Sequence, residues 1–148
     1  MGSWPVVMIL LCLMGLTCAE PINFNDCGSL SGKVTMVDIY PCAKQPCQLR
    51  RGDSYSVNVT FNSGVESQIS TAVVHGIVIG IPIPFAIPVR DGCKSGIQCP
   101  IQKQQTYHYQ TTLPVKKMYP AIKLVVEWEL TDNNGQDFFC IKFPVQIV

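Results

Sequence analysis

Three kinds of side chain in this sequence could do chemistry: eight cysteines, two histidines and a scatter of carboxylates. A hydrolytic or transfer site needs a nucleophile, a base and a group that orients the base. His75 and His108 are the only imidazoles. No Gly-x-Ser-x-Gly elbow or phosphate-binding glycine loop accompanies them, and no Cys-x2-Cys pair suggests zinc. Glu127 and Glu129 have the spacing that puts two carboxylates on one strand face. Their neighbour Trp128 claims the opposite, inner face, so the pair is expected to be solvated. The chain is read as a non-enzyme, with no catalytic residue, no metal and no cofactor.

The cysteines have a better use. Trp4 to Leu16 is an uncharged, mostly apolar run closed by Thr17, Cys18 and Ala19 ahead of Glu20 and Pro21. That pattern is an export signal, expected to be cleaved before Glu20 and unusual only in carrying no Lys or Arg after Met1. Cleavage removes Cys12 and Cys18 and leaves Cys27, Cys42, Cys47, Cys93, Cys99 and Cys140, an even set in an exported chain and therefore a disulfide framework. Six cysteines allow 15 pairings, and sequence alone does not choose among them. Spacing favours local closure of Cys42 with Cys47 and of Cys93 with Cys99. Cys27 would then join Cys140, a long loop worth about 4 to 5 kcal/mol in the chain-entropy model.

The remaining chain, residues 20–148, is long enough for one domain with a real core. Eleven Lys plus Arg against ten Asp plus Glu give a formal charge of +1, which argues against a nucleic-acid partner. An apolar fraction of 47% with 14% charged residues excludes disorder. No later segment has the roughly 18 uncharged apolar residues of a membrane helix.

The elements that position these residues are strands. Tyr55, Val57, Val59 and Phe61 alternate with Ser56, Asn58, Thr60 and Asn62, the period of a strand with one dry and one wet face. Asn58-Val59-Thr60 is a sequon with both polar members on the wet face, which predicts a glycan at Asn58. Ile122, Leu124, Val126, Trp128 and Leu130 share one face of a second strand. Phe139, Ile141, Phe143, Val145 and Ile147 share one face of a third. Further strands are expected near Lys33 to Ile39, Gln68 to His75 and Thr106 to Thr112. About seven short strands separated by Gly, Pro, Asn and Asp, with no sustained helical period, predict an all-β, two-sheet antiparallel sandwich.

Gly76 to Val89 departs from the pattern, because Pro82, Pro84 and Pro88 interrupt an isoleucine-rich run. It must be an edge or an irregular excursion, whose apolar groups either plug the core or line a pocket and form an exposed lip. Lys94 and Lys116-Lys117 lie near apolar residues and would favour contact with an anionic membrane. In an acidic compartment, protonation of both histidines would take the formal charge from +1 to +3.

Several strings together carry a resemblance: Asp26-Cys27-Gly28-Ser29, Gln45-Pro46-Cys47-Gln48-Leu49, Tyr55 to Phe61, Val73-Val74-His75-Gly76, Pro82-Ile83-Pro84-Phe85, Asp91 to Ile97, Cys99-Pro100-Ile101, Leu113-Pro114-Val115-Lys116 and Ile122 to Trp128. In that order they resemble the ML lipid-recognition family, in its Niemann-Pick type C branch, over essentially the whole of residues 20–148. The resemblance implies an immunoglobulin-like β-sandwich whose sheets splay to form a lipid pocket, holding one cholesterol or related sterol with its tail inward and its hydroxyl near the mouth. It implies a pocket at Phe85, Val115, Tyr119, Pro120 and Trp128, with Ile39, Leu49, Tyr55, Val57 and Leu113 as further lining. It implies the same three cystine pairs that spacing favours. It also implies a transfer surface at His75, Gly76, Ile77, Val78, Ile79, Gly80 and Ile81 with Asp91 and Lys94, touching anionic lysosomal membranes transiently or a membrane-bound Niemann-Pick type C sterol transporter. The carrier is then a secreted monomer of the late endosome and lysosome lumen. The alternative is a secreted carrier of another lipid, a glycolipid or fatty acid, in innate recognition or extracellular transport. Ile141, where a Trp is expected, and His108 are departures that bear on ligand range.

Overall fold

The computed structural model describes residues 20–148, so the expected export signal at residues 1–19 lies outside the described residues. Nine strands follow one another: β1 (Asn25–Asp26), β2 (Gly32–Tyr40), β3 (Cys47–Leu49), β4 (Ser54–Ser63), β5 (Thr71–Val78), β6 (Ile81–Pro84), β7 (Thr106–Pro114), β8 (Lys123–Thr131) and β9 (Asp137–Ile147). A single 3-10 turn at Gly92–Lys94 is the one helical element among the described residues. The six longest strands are those that alternation predicts. The three additions, β1, β3 and β6, are too short to show a period.

Two sheets face each other. The larger runs β1-β9-β8-β5-β6, with β3 also on β9, and the smaller runs β2-β4-β7. Pairing is antiparallel except for β3, which runs parallel to the end of β9 through Cys47–Leu49 against Val145–Ile147. Each long strand turns alternate residues inward. β4 buries Tyr55, Val57, Val59 and Phe61, β8 buries Leu124, Val126, Trp128 and Leu130, and β9 buries Phe139 through Ile147 at every second position. These residues form one core, and at about 25 cal/mol per Å² of buried apolar surface their burial is the main term favouring the sandwich.

One departure from alternation has a geometric cause. Phe138 and Phe139 are both buried, because the β8–β9 register shifts between Leu130 and Thr131. Phe138 then packs 5.7 Å from the Phe61 ring, and its carbonyl lies where any side chain at Gly32 would stand. Buried Asp132 organises the turn that sets this register. It accepts from Asn134 N and Gln136 N at 2.8 and 3.0 Å and from the Ser31 hydroxyl at 2.8 Å.

All three expected cystines form: Cys27–Cys140, Cys42–Cys47 and Cys93–Cys99. The first ties the chain just after β1 to β9 beside a backbone bond from Cys27 N to Cys140 O. The second closes the β2–β3 loop, and the third closes the loop that follows the 3-10 turn.

Candidate functional site

The two sheets leave β6 and β7 as free edges on the same side of the sandwich. Phe85, the residue after β6, donates its N–H to Val74 O at 2.9 Å, which holds it against β5. Tyr119 sits in the turn after β7, fixed by its N–H bond to Lys116 O at 3.1 Å. Their rings meet edge to face with centroids 5.0 Å apart, across the gap between the sheets. Partial burial raises the Tyr119 phenol above its usual range, so its hydroxyl is a neutral donor at every physiological pH. This pair is the candidate mouth.

Beneath it the expected lining converges from both layers. The smaller sheet supplies Ile39, Tyr55, Val57 and Leu113, adjacent through the pairs Ile39–Val57 and Tyr55–Leu113. The larger sheet supplies Leu49 and Trp128. Val115 caps the group, anchored by bonds with Gly52 and Asp53 at 2.6 and 2.9 Å. All seven are buried in the common core, and Phe85 and Tyr119 pack against it. Pro120 does not join them and is exposed. The Tyr55 hydroxyl accepts the Arg50 N–H at 2.7 Å, so this ring spans from the core to the β3–β4 turn.

Tyr109 is the interior residue that the expected lining omits. It is fully buried on β7, and its hydroxyl accepts the Trp128 indole N–H at 3.2 Å. Burial pushes its pKa up to about 12. The signal for it is the run Tyr107, Tyr109, Thr111, Leu113, which has the same period-2 spacing as β4. The Tyr109, Phe139 and Phe61 rings, at centroid distances of 5.8 and 5.5 Å, make an aromatic floor below the aliphatic lining. Ile141, the position of the expected Trp, faces inward and pairs with Trp128 across β8 and β9.

The expected transfer surface divides. His75 to Ile81 form the β5–β6 hairpin, whose turn is Ile79-Gly80 with φ of 50° and 76°. Ile79 is 95% exposed and Ile81 64%. On the far side of the mouth Met118 is 82% exposed between Lys117 and Tyr119. Asp91 and Lys94 are not part of this group. Asp91 bridges to Thr71, at the opposite end of β5 and about 23 Å along the strand from the tip at ~3.3 Å per residue. Its carboxylate caps the 3-10 turn by accepting Cys93 N at 2.9 Å, which is a structural task.

Two expectations about polar groups also change. Glu127 and Glu129 do share the outer face, but they are not simply solvated. Glu127 lies 4.0 Å from the His75 ring and 3.5 Å from the Lys142 ammonium. Burial and the adjacent Asp137 carboxyl push Glu129 up to about 7. His108 is explained by a cross-strand contact of 3.1 Å with the Thr60 hydroxyl. Asn58 lies on the outer face of β4, the central strand of the smaller sheet, between Asp38 and Gln110.

The ML domain family model matches residues 21–147. The chain is 64% identical over 141 residues to the NPC intracellular cholesterol transporter 2 of Danio rerio, covering 95% of each chain. It is 58% identical over 142 residues to the protein of the same name from Bos taurus, covering 96% of this chain and 95% of that one. Among solved structures it is similar to a Niemann-Pick type C2 protein from the Japanese carpenter ant, with a TM-score of 0.80, 30% identity, and coverage of 86% of this chain and all of that one. The names of the Danio rerio and Bos taurus proteins denote transporters, in accord with the reading of the chain as a non-enzyme.

Proposed function

The chain belongs to the ML domain family, and on that premise we propose that it is a soluble carrier that takes one unesterified cholesterol between its sheets. It works in the lumen of the late endosome and lysosome, and it hands the sterol to a membrane or to the membrane-bound Niemann-Pick type C sterol transporter. Residues 1–19 direct export and are removed, and Asn58 carries the glycan. The observation that supports this reading best is the Phe85–Tyr119 ring pair, set across the gap between two free sheet edges over inner faces that are predominantly apolar.

The geometry supports one order of events. Phe85 and Tyr119 part, the sterol tail enters among Val115, Leu113, Val57 and Trp128, and the sterol hydroxyl stays at the mouth beside the Tyr119 phenol. Enclosing several hundred Å² of sterol is worth on the order of 10 kcal/mol before association costs. Escape into water is then slow, and unloading occurs by contact. The exposed hairpin tip and Met118 flank the mouth, so contact brings the acceptor to the exit.

The test is saturation of the secreted protein with labelled cholesterol at pH 5 and pH 7, in competition with phospholipid, fatty acid and glycolipid. One sterol per chain, displaced by sterols alone, supports the proposal. Retention of another lipid in place of sterol would keep the fold and discard the cholesterol assignment.

A further inference from the structure

The connection from β3 to β4 is Arg50-Arg51-Gly52-Asp53, and all four residues are exposed. Asp53 N bonds back to Arg50 O at 3.1 Å, and Gly52 alone of the four has a positive φ, +92°. That is a type II turn with Arg51 and Gly52 at its centre. Its frame is fastened to the rest of the molecule. Arg50 N bonds to the Tyr55 hydroxyl at 2.7 Å, Arg51 N to Val148 O at 3.1 Å and Gly52 N to Val115 O at 2.6 Å, while Asp53 O accepts Val115 N at 2.9 Å. Every backbone N–H of the turn is therefore satisfied within the chain. The side chains are another matter. The fold requires glycine at 52, for its φ and because a Cβ there would stand 3.2 Å from the Lys117 side chain. It requires little of the two residues beside it. The Arg51 guanidinium engages only its Nε, with Val148 O at 3.4 Å, which leaves both Nη groups free. The Asp53 carboxylate makes no hydrogen bond and no ion pair among the described residues.

We propose that Arg51-Gly52-Asp53 is a recognition tripeptide, presented to a cell-surface receptor of the integrin class. Such a receptor supplies the two partners that the turn lacks. A carboxylate takes the outer fork of the Arg51 guanidinium in a bidentate pair, and a divalent cation with an open coordination position takes an oxygen of the Asp53 carboxylate. Gly52 lets the receptor approach the backbone between them. The bonds to Tyr55, Val115 and Val148 already fix the turn, so binding orders two side chains rather than a loop, which lowers its entropic cost. The unpartnered carboxylate also decides between occupants. Arg50 and Lys117 border the turn, and alone they would suit any polyanion, but Asp53 among them repels one and calls for a cation. An exported chain meets such receptors outside the cell. The inference rests on the export reading and is independent of the sterol assignment.

The experiment immobilises the full secreted protein and presents it to the purified ectodomain of the vitronectin-receptor integrin in Mn²⁺, with melting temperature and sterol affinity measured in parallel. Saturable binding is expected, abolished by EDTA and by a soluble Arg-Gly-Asp peptide. Asp53→Glu keeps the charge and moves the carboxylate by one methylene, and Arg51→Gln removes the guanidinium fork. Each should lose about tenfold or more in receptor affinity. Asp53 holds Val115 through its backbone, so these side-chain changes should leave the melting temperature where it is, which shows that the variants are folded. Asp53→Asn separates the two occupants. Loss of receptor binding in this variant supports the proposal. Binding that resists EDTA and tightens in Asp53→Asn would assign the turn to a polyanion and overturn it. A wild-type protein with no cation-dependent binding, or an Asp53→Glu variant that binds as wild type does, would also overturn it, with the carrier reading intact. Receptor binding by a wild-type protein that takes no sterol would uphold the tripeptide and discard the carrier reading instead.

Discussion

At the level of single residues, Phe85 and Ile79 are each held where packing alone would not put them. Phe85 is only partly buried, and its main ring contact is Tyr119, so it adds little to the core that folds the protein. Phe85→Ala is expected to weaken sterol binding by roughly 1 to 3 kcal/mol and leave secretion intact. A folded variant with wild-type sterol affinity would remove this ring from the mouth. Ile79 occupies the first position of a two-residue hairpin turn at φ +50°, where a β-branched side chain is disfavoured by about 1 to 2 kcal/mol and Asn is preferred. The cost is borne by a side chain that touches almost nothing, which fits a residue kept for contact outside the molecule. Ile79→Asn should raise the melting temperature and slow vesicle-to-vesicle transfer together. Faster or unchanged transfer in the more stable variant would show that Ile79 has no docking role.

Residue types were also where the sequence said most and least. Tyr55, Val57 and Trp128 were legible as inward from alternation, since burial is a property of the strand they belong to. The partner of Trp128 was not. The Tyr109 hydroxyl meets the indole across two sheets, and no spacing along one chain encodes a contact between β7 and β8. The raised Glu129 was hidden for the same reason, since its neighbour Asp137 reaches it only through the β8–β9 register.

The elements follow a similar division. Long strands announce themselves by period, while β1, β3 and β6 exist because β9 and β5 offer them an edge. β6 illustrates how an edge is kept safe. Phe85 N bonds to Val74 O, so by alternation the odd-numbered residues Ile81 and Ile83 also point their N–H groups toward β5. The outward positions are then Pro82 and Pro84, neither of which has a donor. The isoleucine-rich edge beside the mouth thus cannot recruit another strand. Restoring both donors in P82T/P84T should produce concentration-dependent self-association by light scattering, with the monomer fold retained. A double variant as monodisperse as wild type would show that the prolines serve another purpose.

At the scale of the whole molecule, pH matters, because under the proposed function the chain would fold near neutral pH and work in an acidic lumen. Glu129 is raised to about 7 by burial, then by the charge and hydrogen bond of Asp137 and by Glu127. Asp137 is raised too, by burial and by the charges of Glu127, Asp132 and Asp26, with the Glu129 hydrogen bond acting the other way. Glu129 is therefore the proton donor of the pair. Folded protein binds more protons than unfolded protein between about 4.5 and about 7, so stability contributed by this pair is fully present below the unfolded value and is lost as pH rises through the folded one. The chain should melt at a higher temperature at pH 5 than at pH 7.5. Glu129→Gln keeps a neutral donor beside Asp137, so it should flatten that dependence by raising stability mainly at the neutral end. Equal pH slopes in the variant and the wild type would place the titrating group elsewhere. The expected slope has a physical sense for the proposed carrier, because the carboxyl cluster relaxes at acidic pH, where under that proposal the sheets would part to admit a ligand without unfolding.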